Sequence, residues 1–147
     1  MLQPGDKAPD FTAQTTSGAT ISLHDYFGRN NVVLYFYPKD DTTGCTIEAC
    51  EFRDARTDYD ASDAVVFGVS ADSQESHQQF ADKYALNFPL LVDADGTICD
   101  LYGVPRHGDM PARVTFLIDT DGVIREVWEK VDPRGHAAHV LERVKAL

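Results

Sequence analysis

The sequence predicts an α/β fold, a central mixed sheet with helices on both faces and a β-hairpin at the N-terminus. Three observations carry this prediction. The run "VVLYFY" (Val32 to Tyr37) is rich in β-branched and aromatic residues, as in a strand buried on both faces, and "AVVFGVS" (Ala64 to Ser70) reads as a second buried strand. Stretches with apolar residues at helical spacing alternate with such runs. The chain then closes on two strands and a helix. Its 147 residues, 43% apolar and 25% charged, suit one domain, residues 1–147, with a sizeable core.

In chain order, "FTAQTTSGATISL" (Phe11 to Leu23) splits into two short extended pieces about a Ser17-Gly18 turn. "VVLYFY" follows as the first buried strand. From about Thr43 to Tyr59 the pattern is helical, with Ile47, Cys50 and Phe52 or Ala55 near one side. "AVVFGVS" is the second buried strand. Ser73 or Asp72 can cap the next helix, where His77, Phe80, Ala81 and Tyr84 recur at helical spacing. His77 reads there as a helix-face residue. "FPLLVD" is a short strand, and "GTICDLYG" a short helix ended by Gly103. "RVTFLID" and "VIREVWE" flank a "TDG" turn as a hairpin, with Trp128 as packing. The last helix, from about Pro133, carries Ala137, Val140, Leu141, Val144 and Leu147 on one face. "DADG" and "DTDG" are turns, since the other calcium-loop ligands and the closing Glu are missing. A closing β-β-α after β-α-β is the thioredoxin-like pattern. In such sheets active groups collect beyond the carboxyl ends of strands.

The net charge of -11 disfavours nucleic acid and anionic membrane surfaces as partners. No apolar stretch has the length of a membrane span. "MLQPGDKAPDF" lacks the basic and apolar regions of a signal peptide, so a cytoplasmic location is expected. The cysteines are Cys45, Cys50 and Cys99, an odd count that argues against a structural disulfide framework.

Cys45 falls just after the first buried strand, at the start of a helix. The thiolate is the reactive form of cysteine. A helix N-terminus favours an anion through its unpaired N–H groups. "TTGC" supplies Thr42 or Thr43 as cap and Gly44 for close backbone approach. The same residues also fit an inert buried thiol that happens to lie near a helix end. Cys50 follows at C-x-x-x-x-C spacing, which is neither a C-x-x-C dithiol nor a common zinc knuckle. The histidines, at 24, 77, 107, 136 and 139, are too scattered to complete a metal site.

"YFYPKDDTTGCTIEAC" (Tyr35 to Cys50) resembles the active-site segment of the peroxiredoxins, with the signature Pro-x-x-x-Thr/Ser-x-x-Cys at Pro38, Thr42 and Cys45. Cys50, five places on, resembles the bacterioferritin comigratory protein, or Q-type, group. "GDKAPDFT", "VFGVSADSQESHQQFADKY", "RVTFLID" and "DPRGHAAHVLE" extend the likeness over nearly the whole chain. Thr43 stands where the group often has proline, and "PRHGDMPA" is shorter than its usual insertion.

The resemblance implies that Cys45 is the peroxidatic cysteine, Cys50 the resolving cysteine, and Arg113 the arginine completing the site. It implies peroxide as substrate, a thioredoxin-like dithiol as reductant, and no metal or organic cofactor. Arg113 offers a permanent charge and a fork of donors. The Thr42 hydroxyl is expected to donate to the thiolate and accept from the peroxide. Pro38, rigid and without an N–H, is expected to wall the pocket. Cys99 is expected to pack a short helix, with alternate resolution as its lesser reading. A resolving cysteine in the same chain needs no partner subunit, so a monomer is expected. Two other functions compete. A thioredoxin-fold copper-binding assembly factor wants closer cysteines and a histidine near them. A general disulfide oxidoreductase wants C-x-x-C.

Overall fold

The central strand, β3 (Asn31–Phe36), explains the architecture. Its side chains alternate between faces. Val32, Leu34 and Phe36 enter one core, and Val33 and Tyr35 enter another on the opposite face. Neither face meets water, which is why the run reads as continuously apolar. The computed structural model describes all 147 residues.

The hairpin β1 (Thr12–Gln14) and β2 (Thr20–Ser22) forms its own two-stranded sheet. It is followed by a 3-10 turn, Leu23–Tyr26, not foreseen in the sequence. The remaining elements are α1 (Thr43–Asp54), α2 (Arg56–Ala61), β4 (Ala64–Ser70), α3 (Gln74–Tyr84), β5 (Leu90–Val92) and α4 (Thr97–Tyr102). After them come β6 (Arg106–His107), β7 (Met110–Pro111), β8 (Val114–Ile118), β9 (Ile124–Trp128) and α5 (His136–Lys145). The main sheet has the order β5-β4-β3-β8-β9. β4 pairs with β3 and β5 in parallel, and β8 pairs with β3 and β9 antiparallel. This is the mixed, thioredoxin-like sheet that was expected.

One face of the sheet is covered by α1, α2 and α5, through Cys45, Ala49, Phe52, Tyr59, Ala137 and Val140, with Phe80 of α3 in the same cluster. The other is covered by α4 and the N-terminal segment, through Ile98, Tyr102, Phe11 and Ala13. Gly68 of β4 has a packing reason: a Cβ there would lie 2.9 Å from both Leu90 and Tyr35.

Three readings change, and one segment left unassigned gains a structure. The single helix expected over 43–59 breaks at Ala55 into α1 and α2. The buried stripe of α1 is Cys45, Glu48, Ala49 and Phe52, not Ile47 with Cys50. α5 starts at His136, after a turn containing Gly135 at φ 83°, rather than at Pro133. "PRHGDMPA" forms the β6–β7 ribbon. The acidic turns are turns. Asp93 accepts the N–H groups of Ile98 and Cys99, and Asp119 those of Asp121 and Val123.

Candidate active site

The first intrahelical bond of α1 runs from Thr46 N–H to the Thr42 carbonyl, at 2.8 Å. The amides of Thr43, Gly44 and Cys45 therefore precede the ladder and point out of the helix end. Cys45 sits among them, 1% exposed, beyond the carboxyl end of β3. Thr42 is the cap residue, in extended backbone at φ -98° and ψ 159°.

Arg113 reaches this point from the residue before β8. Its Nη2 lies 3.4 Å from Cys45 Sγ, and its Nη1 2.7 Å from Glu48 Oε1. Glu48 is three residues after Cys45, hence on the same helix face. One guanidinium thus spans the thiol and a fully buried carboxylate. Gly44 makes room for it, because a Cβ there would meet Arg113 Nη2 at 3.1 Å and Pro133 Cγ at 3.4 Å. Burial raises the Glu48 carboxyl to about 7, against the opposing pull of Arg113. Tyr35 lies beneath. Burial, then the charges of Glu48 and Cys45, hold its hydroxyl protonated.

Cys50 is half-buried on the same helix and is a free thiol like Cys45. Cys99 is also free, but it belongs to the core on the other face of the sheet. Burial, followed by Asp93, pushes its thiol up to about 12. Pro38 is half-buried in the turn between β3 and α1. Thr42 corrects an expectation. Its hydroxyl donates to the Lys39 carbonyl at 2.9 Å rather than to Cys45.

The structure brings Cys45 and Arg113 together and sets Thr42 at the cap beside them. It adds Glu48, which the sequence reading missed. The only signal was an acidic residue one turn beyond the cysteine, ordinarily a solvated helix position. His77 lies on the helix face with Phe80 and Ala81, as expected, but its partners were not foreseen. It is 0% exposed, and its ring binds Asp40 and the Leu91 carbonyl.

Residues 4–127 match the AhpC/TSA family. The chain is 42% identical to Peroxiredoxin Bcp of Bacillus subtilis, over 98% of this chain and 96% of that one. It superposes on the crystal structure of Peroxidoxin BcpB from Mycobacterium tuberculosis with a TM-score of 0.94 and 34% identity, covering 100% and 99% of the two chains. A Xanthomonas campestris bacterioferritin comigratory protein, studied for its alkyl peroxide reduction activity, matches at TM-score 0.87 and 34% identity, over 92% and 90%. The chain belongs to the AhpC/TSA family, among its Bcp and Q peroxiredoxins.

Proposed function

We propose that this peroxidase reduces hydrogen peroxide and organic hydroperoxides at Cys45, resolves the product with Cys50, and is recycled by a thioredoxin-like dithiol. The observation that carries the reading is the Arg113 fork between Cys45 Sγ and Glu48. The Cys45 thiolate attacks one peroxide oxygen. The O–O bond breaks, and the other oxygen leaves with the electron pair and takes a proton. Charge moves from sulfur to the leaving oxygen, so fixed donors along that line lower the barrier. Arg113 Nη2 and the free amides of Thr43, Gly44 and Cys45 are such donors. The Thr42 hydroxyl can join them once it turns from Lys39, and Pro38 limits water on the approach. The sulfenic acid at Cys45 then condenses with the Cys50 thiol, releasing water. The disulfide takes two electrons and two protons from the external dithiol by exchange.

The whole chain, 1–147, acts as one domain and as a monomer, because both cysteines lie on one helix. No helix is long and apolar enough to cross a membrane. Three free thiols fit the reducing cytoplasm. The copper-binding and general oxidoreductase readings lose support, since no histidine lies against the thiol and C-x-x-C is absent.

The test is rapid mixing of reduced protein with hydrogen peroxide and an alkyl hydroperoxide, chelator present, followed by disulfide mapping. Cys45→Ser should consume no peroxide. Cys50→Ser should react once and stop as the sulfenic acid, because Cys99 faces the other core. Continued turnover by Cys45→Ser would move the nucleophile elsewhere.

A further inference from the structure

We propose that Asp40 and His77 form a buried, proton-sharing clamp that positions the loop leading to Cys45. The inference rests on Cys45 being the peroxide-reducing thiol. Asp40 is 7% exposed and His77 0%. Asp40 Oδ2 faces His77 Nδ1 at 2.7 Å and accepts from Ser76 Oγ at 2.8 Å. Its Oδ1 accepts from the Tyr37 hydroxyl at 2.6 Å. Its own N–H donates to Asp72 Oδ2 at 2.9 Å, and that oxygen also accepts from Ser70 Oγ at 2.6 Å.

The proton count follows from the geometry. His77 Nε2 lies 2.8 Å from the Leu91 carbonyl, which can only accept, so Nε2 carries a hydrogen. Nδ1 faces a carboxylate oxygen at 2.7 Å, so a second proton lies between them. The pair therefore holds two protons where a neutral imidazole and a carboxylate hold one. Drawing Asp40 away would strand either a buried cation or a buried acid, so the loop is tied firmly to α3 and β5. Asp41 adds a surface tether to the same helix. At φ 57° its carboxylate accepts from Lys83 Nζ at 2.8 Å and the Tyr84 hydroxyl at 2.7 Å. Thr42 follows directly as the cap of α1. The clamp thus sets where the first turn of α1, and Cys45 in it, points.

Asp40, Asp72 and His77 have the composition of a metal site, with ligand atoms within 4.8 Å of one another. Both Asp40 oxygens and Asp72 Oδ2 already receive donors, and the ring has no free lone pair. The cluster is closed by protons.

The test uses the full-length reduced protein. In Asp40→Asn, the amide can donate to a neutral His77 and to Ser76, and its carbonyl can accept from Tyr37. That variant keeps the clamp without the shared proton, whereas Asp40→Ala and His77→Ala break it. Stopped-flow oxidation of Cys45 by hydrogen peroxide should slow about tenfold or more in either alanine variant. The double variant should be no slower than the singles. Asp40→Asn should keep most of the rate. In the wild type, 15N-resolved NMR should show a hydrogen on Nε2 and a downfield proton bridging Nδ1 to Asp40. A folded Asp40→Ala at wild-type rate, or an asparagine variant as slow as the alanine one, would overturn the clamp. So would a bare Nδ1, or ring signals that move with added zinc or chelator. Should Asp40→Ala fail to fold, the asparagine variant and the His77 spectrum decide. Peroxide turnover by Cys45→Ser would instead sink the peroxidase reading beneath it.

Discussion

Oxidation to a Cys45–Cys50 disulfide should melt α1 from Thr43 to about Phe52 and leave β3 intact. α1 is helical from Thr43 to Asp54. On a regular helix, residues five apart differ by about 7.5 Å of rise and about 140° of rotation, which puts their Cα atoms about 8.7 Å apart. A disulfide accepts about 4.4–6.8 Å. The two Cα atoms must therefore close by roughly 2 Å or more, and their side chains must turn to face each other. An intact helix can do neither. Unwinding breaks the Thr46-to-Thr42 bond and draws Cys45 and Ala49, 1% and 0% exposed, out of the core. It also takes Sγ away from Arg113. Several lost backbone bonds at about 1 kcal/mol each, plus the lost burial, exceed the regained chain freedom by an amount on the order of 3 kcal/mol. That corresponds to about a hundredfold in amide exchange protection. Hydrogen-exchange mass spectrometry on both redox forms should show the loss over about Thr43 to Phe52, with Val32 to Tyr37 unchanged. Glu51 Oε1 accepts the Gly135 N–H at 2.8 Å, so fading of that contact would mark how far the change spreads. Equal protection of α1 in both states, alongside a mapped Cys45–Cys50 disulfide, would refute the argument.

Arg113→Lys should cut the peroxide rate constant by about a hundredfold in stopped flow, because one ammonium cannot serve both Sγ and the Glu48 carboxylate. A wild-type rate would remove Arg113 from the site. Gly44→Ala should hold or raise the melting temperature, since alanine is the better helix former by up to about 1 kcal/mol, yet slow peroxide attack by displacing Arg113. A slower reaction with no loss of stability is the signature to seek, and an unchanged rate would contradict the close approach. Glu48→Gln should change how stability depends on pH. The wild-type carboxyl is raised from 4.5 to about 7, so the folded state binds the extra proton and stability falls as pH rises through that window. His136, lowered by burial from 6.5 to about 4, works in the opposite sense and adds stability as pH rises from about 4 to 6.5. In the glutamine variant only the second effect remains, so urea unfolding from pH 4.5 to 7 should show a steeper gain, by an amount on the order of 3 kcal/mol; a slope equal to wild type would place Glu48 elsewhere.

The strands were legible because each records its own burial. From Val32 to Phe36 β3 feeds both cores, so each of those positions is apolar, and no distant partner is needed to see it. Cys45 was legible for a related reason, since its strand end, cap and glycine are sequence neighbours. The polar members of the site were not. Glu48 owes its burial to Arg113, 65 positions away, and His77 to Asp40, 37 positions away. A helix read alone ranks Ile47 and Cys50 above Glu48 for burial, so the stripe was assigned to the wrong face. The true stripe runs through Glu48 because β8 delivers a guanidinium there. Thr42 failed in the same way, since its hydroxyl is taken by the Lys39 carbonyl in a turn whose shape depends on α3. Local pattern thus predicts burial that hydrophobicity alone supports. Burial supported by a partner across the sheet stays hidden until the fold is known. In this chain one such hidden pair, Glu48 with Arg113, sits against the thiol, because a buried charge is tolerated only where a remote residue answers it.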